Sequence, residues 1–548
     1  MRRLGSAGMP ATEVADIYLQ ARSGVDPEAA AAIGLEVESR LPTFSPEAYD
    51  RRHSADKAAL YALQGSPGLL AAVMRERLES EVELDRVGFT RRLLAPLATP
   101  VHQIRQIFDD LPTGTVAERM QVRAHLAAVP NALAELQRTL AAETERGNVV
   151  AQRQVRVVAE QVERWLADGL FTGLLDGEAS RETDAARSAF GRFATFLRAW
   201  VLPTAPIVDG VGREVYQVTA GAFLGEQVDL DALYSYGWDL IAELQQQARE
   251  VATEIVGNPD VAAAVAHLDA EPAGRVAVGE PLLRWLQQRI DAATEIAHER
   301  VAAIPDRTRA VEAKLVTALS GVMYYNPPDP GLTRPGRVWW TVPEGTTAVA
   351  TWREVSTVHH EGVPGHHLQH AISHELAGLH PWQRYLCHVH GYAEGWAHYS
   401  EALADEVGLI RTPGERLGLV FARLWRACRI VIDLGLHLDL PIPAGAPGPC
   451  GDASRWSPEL GAQVLHEIAQ VDPQTARFEV DRYLGWPGQA LAFAVGAKLW
   501  RDARLEAEQR EDSAFDLRTF HTRALSLGPM GLGPLRDALR TTREGVPA

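Results

Sequence analysis

Apolar residues recur every three to four positions through the first two hundred residues, the period of an amphipathic helix. The pattern predicts helices over residues 11–20, 27–38, 46–63, 69–87, 116–140, 149–170 and 183–201, with further helices at 230–256 and 281–304. Asp26-Pro27 and Ser45-Pro46 put proline at a first helical position, where its missing N–H leaves no bond unmade. Leu202-Pro203-Thr204-Ala205-Pro206 interrupts the run. It is the best candidate for a boundary between a helical scaffold, residues 1–205, and a second region, residues 206–548, although one continuous helical body fits the same pattern. The period then changes. Tyr324-Tyr325-Asn326-Pro327-Pro328-Asp329-Pro330-Gly331 stops helix formation, residues 336–342 are β-branched and aromatic, and residues 346–350 follow a Pro-Glu-Gly turn. A short hairpin is predicted there. A helix starts near Thr351 and runs, across an interruption, to about His374, and another covers 414–438. The expected fold class is mainly α with a small β-hairpin beside the helix that starts at Thr351.

Composition narrows the class. Hydrophobic residues at 46% and charged residues at 23% of 548 are globular values. A net charge of −17, from 54 basic and 71 acidic residues, argues against a nucleic-acid or anionic-membrane partner. No apolar run follows Met1-Arg2-Arg3 and no window approaches 18 apolar residues. Cys387, Cys428 and Cys450 are odd in number and widely spaced, which fits a reducing compartment better than a disulfide framework. The expectation is a cytoplasmic protein with no membrane contact; oligomeric state is not set by any of these features.

The candidate chemistry is concentrated in one stretch. Of 18 histidines, ten lie between 359 and 398, and His359-His360-Glu361-Gly362-Val363-Pro364-Gly365-His366-His367 is the densest part. His-Glu is half of the zinc-hydrolase motif H-E-x-x-H, in which two histidines one helical turn apart bind one ion. Here the i+4 position is Pro364, so a regular helix would carry the next histidine out of reach. Pro364-Gly365 can shorten the path, because proline removes its own N–H and glycine tolerates unusual backbone angles. A bulge that absorbs two residues puts His366 in the missing ligand's place; one that absorbs three puts His367 there. The first is favoured. Glu394 lies 28 residues after His366 and can supply a third, carboxylate ligand from a following helix, with His398 and Glu401 one and two turns further on the same face. Arg429, Asp433 and His437 form an i, i+4 stripe on the 414–438 helix. They read equally well as support for a metal shell or as a salt-bridge ladder.

The two motifs H-E-x-x-P-G-H-H-x-Q and E-G-W-A-x-Y-x-E resemble those of the bacterial family called domain of unknown function 885, regarded as zincin-like metallopeptidases of the two-His, one-Glu class. The resemblance extends over Arg334-Pro335-Gly336, Arg426 to His437, Arg482-Tyr483, Pro487-Gly488-Gln489-Ala490 and Leu527-Gly528-Pro529-Met530. It implies a zincin-like architecture and one zinc per chain, with manganese or iron as alternatives that suit the same donors. His360, His366 and Glu394 would bind the ion, Glu361 would act as general base, and Tyr483 would donate to the oxyanion, with Arg482 as a clamp for a substrate carboxylate. His367, His398, Arg429, Asp433 and His437 would support the site or touch substrate.

The function expected is hydrolysis of short peptides by metal-activated water, because roughly 350 residues of helix ahead of the motif exceed what a bare catalytic core needs and would wall a deep channel. Two readings compete with it: a metal- or peptide-binding protein without turnover, and a metal-dependent amidase or esterase acting on small molecules.

Overall fold

The computed structural model describes residues 8–35, 41–97, 99–109, 111–175, 180–318, 323–329, 331–332, 334–451 and 453–541. It is mainly helical, with five short strands among the described residues. The chain divides into two compact units. The first is Met1–Ala222 with Leu436–Leu440 and Arg477–Pro487; the second is Phe223–Gly435, Pro441–Ala476 and Gly488–Ala548.

Helices of the first unit begin where local chemistry tells them to. Ser45 accepts from the Ala48 N–H ahead of Pro46 in the Pro46–Ala62 helix, and Thr115 and Glu118 form a reciprocal capping box on the Val116–Glu145 helix. The Pro27–Ala32 helix is shorter than the pattern predicts, and the end of that expected segment, residues 36–38, lies outside the described residues. Apolar positions at helical spacing converge on one core. Leu126, Val129 and Leu133 meet Val155, Val158 and Val162 of the Gln152–Ala167 helix and Phe190 and Phe193 of the Arg181–Phe196 helix, all buried. The Leu-Pro-Thr-Ala-Pro break is a short turn of 3-10 helix, Leu202–Thr204.

The boundary of this unit falls after Ala222, and two remote segments belong with it. Hydrogen bonds explain why. His437 accepts the Val211 N–H on Nδ1 at 3.3 Å and donates from Nε2 to the Tyr483 carbonyl at 3.0 Å. Gln154 donates to the Asp481 carbonyl at 2.9 Å, and Arg153 bridges Asp209 and Asp481. A single cut in the sequence does not capture such long-range ties.

In the second unit the strands are β1 (Arg275–Ala277), β2 (Val311–Ala318), β3 (Tyr324–Asn326), β4 (Gly336–Pro343) and β5 (Ala348–Ala350). The hairpin predicted over 336–350 does not form. Chain reversal at Gly345 is present, with the Thr346 N–H on the Pro343 carbonyl at 3.1 Å, but the two strands diverge to other partners. β4 lies between β2, parallel, and β3, antiparallel, whereas β5 pairs antiparallel with β1. Val338, Trp340 and Val342 alternate along β4 and are all buried, so one face of this strand packs against the core. The Thr351–Glu361 helix starts directly after β5.

Two later helices of this unit, His390–Glu406 and Ala492–Glu511, cross in backbone contact. A Cβ at Gly395 would stand 2.6 Å from the Gly496 backbone, and one at Gly496 would stand 2.5 Å from the Gly391 carbonyl oxygen. This crossing sets the position of Glu394, one residue away. Gly395→Ala or Gly496→Ala forces the helices apart, and each is expected to lower stability by about 2–4 kcal/mol, read as a shifted denaturant midpoint.

Candidate metal centre

The site begins with a helix that ends early. In the Thr351–Glu361 helix, one face buries Trp352, Val355, Ser356, Val358, His359 and His360. The Gly362 N–H makes the last bond, to Val358, and the chain then leaves helical geometry at ψ −117°. The Val363–Pro364 peptide is cis. At Gly365 a Cβ would overlap the carbonyl oxygens of both His359 and His360, so only glycine fits. A new helix, His366–Glu375, starts immediately.

Side chains hold the break in place. Trp396, from the His390–Glu406 helix, donates its indole N–H to the carbonyls of Pro364 and Gly365 at 3.0 and 3.2 Å. His359 donates from Nδ1 to the Val363 carbonyl at 2.9 Å. Burial lowers its pKa to about 4, so this histidine is neutral and structural.

The shortened path brings His366 beside His360, with ring centroids 5.0 Å apart and planes at 86°. Glu394 Oε2 lies 3.3 Å from His360 Nε2 and 3.6 Å from His366 Nε2. One ligand atom from each of the three residues lies within 4.8 Å of the others. A tetrahedral ion with bonds near 2.1 Å spaces its ligand atoms about 3.4 Å apart. Glu394 Oε2 is buried and accepts no hydrogen bond of ordinary geometry among the described residues. Buried polar atoms are normally paired, so the donor set, its spacing and this unsatisfied oxygen all fit a divalent ion.

The electrostatics follow from burial of opposed charges. Burial works against a charge on His360, yet the nearby carboxylates of Glu394 and Glu401 raise its pKa to about 9. Burial alone would raise Glu394; His360 and His366 hold it well below the usual carboxylate range. Glu361, next to His360 in the chain, is pushed upward by burial against the pull of both histidines. Phe493 of the Ala492–Glu511 helix stacks on the His360 ring at 6.1 Å and 16°.

The other expected site residues take varied places. His367 turns away from the pair, with Nδ1 accepting from the Tyr325 hydroxyl at 2.9 Å and Nε2 donating to the Arg309 carbonyl at 3.3 Å. Burial takes its pKa to about 4. Gly336 of the Arg-Pro-Gly motif lies against this bond and has no room for a side chain. His398 donates from Nδ1 to Glu401 at 3.2 Å. Arg429 packs its guanidinium 4.3 Å from the Phe493 ring centre, and Asp433 accepts the Gly488 N–H at 2.9 Å. Tyr483, Arg482 and His437 belong to the first unit. There the Tyr483 hydroxyl donates to buried Glu479 at 2.8 Å, Arg482 pairs with the same glutamate at 3.1 Å, and burial lowers His437 to about 4.

Two contributors carried little sequence signal. Trp396 acts through backbone carbonyls, which no side-chain pattern reveals. Phe493 lies 99 residues after Glu394 in an apolar helix, where it reads as core.

A mainly helical body with a small mixed sheet and a partly buried two-His, one-Glu cluster is the class of protein that the fold and site define. A family model described as "Bacterial protein of unknown function (DUF885)" matches residues 27–539, and the chain belongs to that family. No curated protein matches the chain. Among solved structures it is similar to "the putative lipoprotein from Colwellia psychrerythraea", with a TM-score of 0.81 at 20% identity over 96% of this chain and 98% of that one. It is also similar to "a putative lipoprotein of unknown function from Shewanella oneidensis", with a TM-score of 0.70 at 17% identity over 97% of this chain and all of that one. At these identities the likeness is one of fold. Among the described residues no helix is long and apolar enough to cross a membrane.

Trp396→Phe removes the indole donor and leaves two buried carbonyls without it. A stability loss of about 1–3 kcal/mol is expected, checked by chemical denaturation.

Proposed function

We propose that the chain is a zincin-like, metal-dependent hydrolase of peptide bonds in short peptides, with His360, His366 and Glu394 holding one divalent ion, zinc first. The observation that carries this reading is the convergence of two imidazole nitrogens, at 3.3 and 3.6 Å, on one buried carboxylate oxygen, with Glu361 next to His360 in the chain. Two imidazoles and one carboxylate suit zinc, and manganese or iron can use the same set. Such an ion supplies Lewis acidity, which acidifies water and polarises a carbonyl.

The chain's own residues would do the rest. Glu361 has the chemistry of a general base: burial makes its carboxylate a better proton acceptor than an exposed one, and it lies within the field of both histidines. It would accept a proton from the attacking water on a carboxylate oxygen and return it to the leaving amine. His360, backed by Phe493 and bonded through Nδ1 to Glu401, is held in one orientation. Trp396 and Gly365 fix where His366 starts its helix.

Glu361→Gln is expected to keep one equivalent of zinc and to lose peptide hydrolysis by a factor of about 100 or more. His360→Ala and Glu394→Ala are expected to lose the zinc, measured by elemental analysis of protein purified without chelator. Retention of zinc by both would remove the site. Unchanged turnover in Glu361→Gln would leave a centre that does not use this base.

The raised pKa of His360 gives a pH dependence with a definite sign. His360 must lose its ring proton before the Nε2 lone pair is available, and its pKa near 9 means that the protonated fraction stays dominant below that pH. Apparent zinc affinity should therefore weaken about tenfold for each unit of pH decrease from about 8 to about 6, measured by competition with a chelator of known pH behaviour. A flat profile over that range would contradict it.

A further inference from the structure

We propose that Glu401 is the positioning residue that sets the tautomer and the aim of His360, so that retention of the ion depends on a side chain that never touches it. The inference rests on the reading of His360, His366 and Glu394 as ligands and adds a residue outside that set.

The carboxylate of Glu401 is almost wholly buried, 1% exposed, and receives three side-chain donors. On Oε2 it accepts the Ser356 hydroxyl at 2.7 Å. On Oε1 it accepts Nδ1 of His360 at 2.8 Å and Nδ1 of His398 at 3.2 Å. Arg426 stands 3.9 Å from the same oxygen. Both oxygens are engaged by donors and the Arg426 guanidinium stands beside them, which is the environment of a carboxylate and not of a carboxyl O–H. An ionised carboxylate can only accept. The hydrogen between Glu401 and His360 is therefore on Nδ1, and in the neutral ring the lone pair is on Nε2, the atom that faces Glu394 at 3.3 Å.

The geometry also fixes direction. Ser356 and His360 are one turn apart on the same helix face and grip the two oxygens of one carboxylate, which leaves it no freedom to rotate. Glu401 is two turns beyond Glu394 on the His390–Glu406 helix, so a single rigid element carries a ligand and the group that orients a second ligand. The glycine crossing at Gly395 and Gly496 sets the position of that element, and with it both carboxylates. Ser356, Glu401 and His398 do not form a nucleophile triad, because the serine donates to the carboxylate and not to an imidazole.

The competing account is a buried network that only joins two helices. It predicts lower stability with no selective effect on the ion. Glu401→Gln separates the two accounts, because an amide has one acceptor and one donor end and no charge. With its N–H toward His360 it drives the lone pair to Nδ1; with its oxygen there, the neutral acceptor holds Nδ1–H more weakly than a carboxylate does.

The test measures zinc affinity by chelator competition at one fixed pH, together with the visible absorption spectrum of the cobalt(II)-loaded protein, for the unsubstituted full-length chain and for Glu401→Gln, Glu401→Asp and Ser356→Ala. Glu401→Gln is expected to bind zinc about 10–100-fold more weakly and to change the cobalt spectrum, with Glu401→Asp and Ser356→Ala between it and the unsubstituted chain. If Glu401→Gln folds and binds zinc within about twofold of the unsubstituted chain, the inference is overturned while the three ligands stand; a lower unfolding temperature with unchanged affinity has the same meaning. If Glu401→Gln does not fold, Glu401→Asp and Ser356→Ala decide, and unsubstituted-level affinity in both overturns the inference. If the unsubstituted chain binds neither metal, both this inference and the ligand assignment fall.

Discussion

Everything in the site follows from a close approach of backbone to backbone at Gly365. The carbonyl oxygens of His359 and His360 point out of the last turn of one helix and occupy the volume that a side chain at 365 would need. With no Cβ there, the chain can turn back on itself and restart as a helix within four residues, so that two histidines six apart in sequence present their rings to the same point. Trp396 then donates to the Pro364 carbonyl and shares that of Gly365 with the Gln369 N–H of the new helix. The indole that stabilises the break comes from the helix that also carries Glu394 and Glu401, so local backbone shape and long-range packing are tied by one side chain.

Charge balance is the second constraint. Three buried or half-buried carboxylates, Glu361, Glu394 and Glu401, share a small volume with His360, His366, His398 and Arg426. Burial penalises each charge, and their mutual attraction lowers Glu394 and Glu401 while raising His360. Glu361 is the exception, with a carboxyl raised and not lowered, which distinguishes it chemically from the two that sit in direct contact with histidines. The proposed division of roles among residues of the same type draws on this spread.

The scaffold around the centre is built from ordinary helical patterning with a few non-negotiable contacts. In the first unit, apolar stripes at helical spacing pack into one core. In the second, β4 is paired along both edges and buries three alternating residues on one face, and the glycine crossing of the His390–Glu406 and Ala492–Glu511 helices leaves no room for a side chain. The glycine crossing places Glu394 beside His360 and His366.

The sequence by itself determined the mainly helical class, the starts of most helices through their Ser, Asp, Thr and Pro signals, the interruption at Pro364-Gly365 and the family, because each is encoded within a few adjacent residues or a short motif. It also singled out His360, His366 and Glu394, since histidine and glutamate at that density are uncommon. Only the tertiary structure decided that β4 pairs with β2 and β3 and not with β5, because a turn signal between two segments does not specify which strands they pair with. It alone turned His367 toward Tyr325 and the Arg309 carbonyl, 42 and 58 residues away, and joined 436–440 and 477–487 to the first unit through hydrogen bonds that span 226 and 327 residues, since pairings of that range leave no local trace. Glu401 shows where the division lies. Its spacing from Glu394 put it on the right face of a helix, but only the fold placed Ser356, His360 and His398 around its two oxygens.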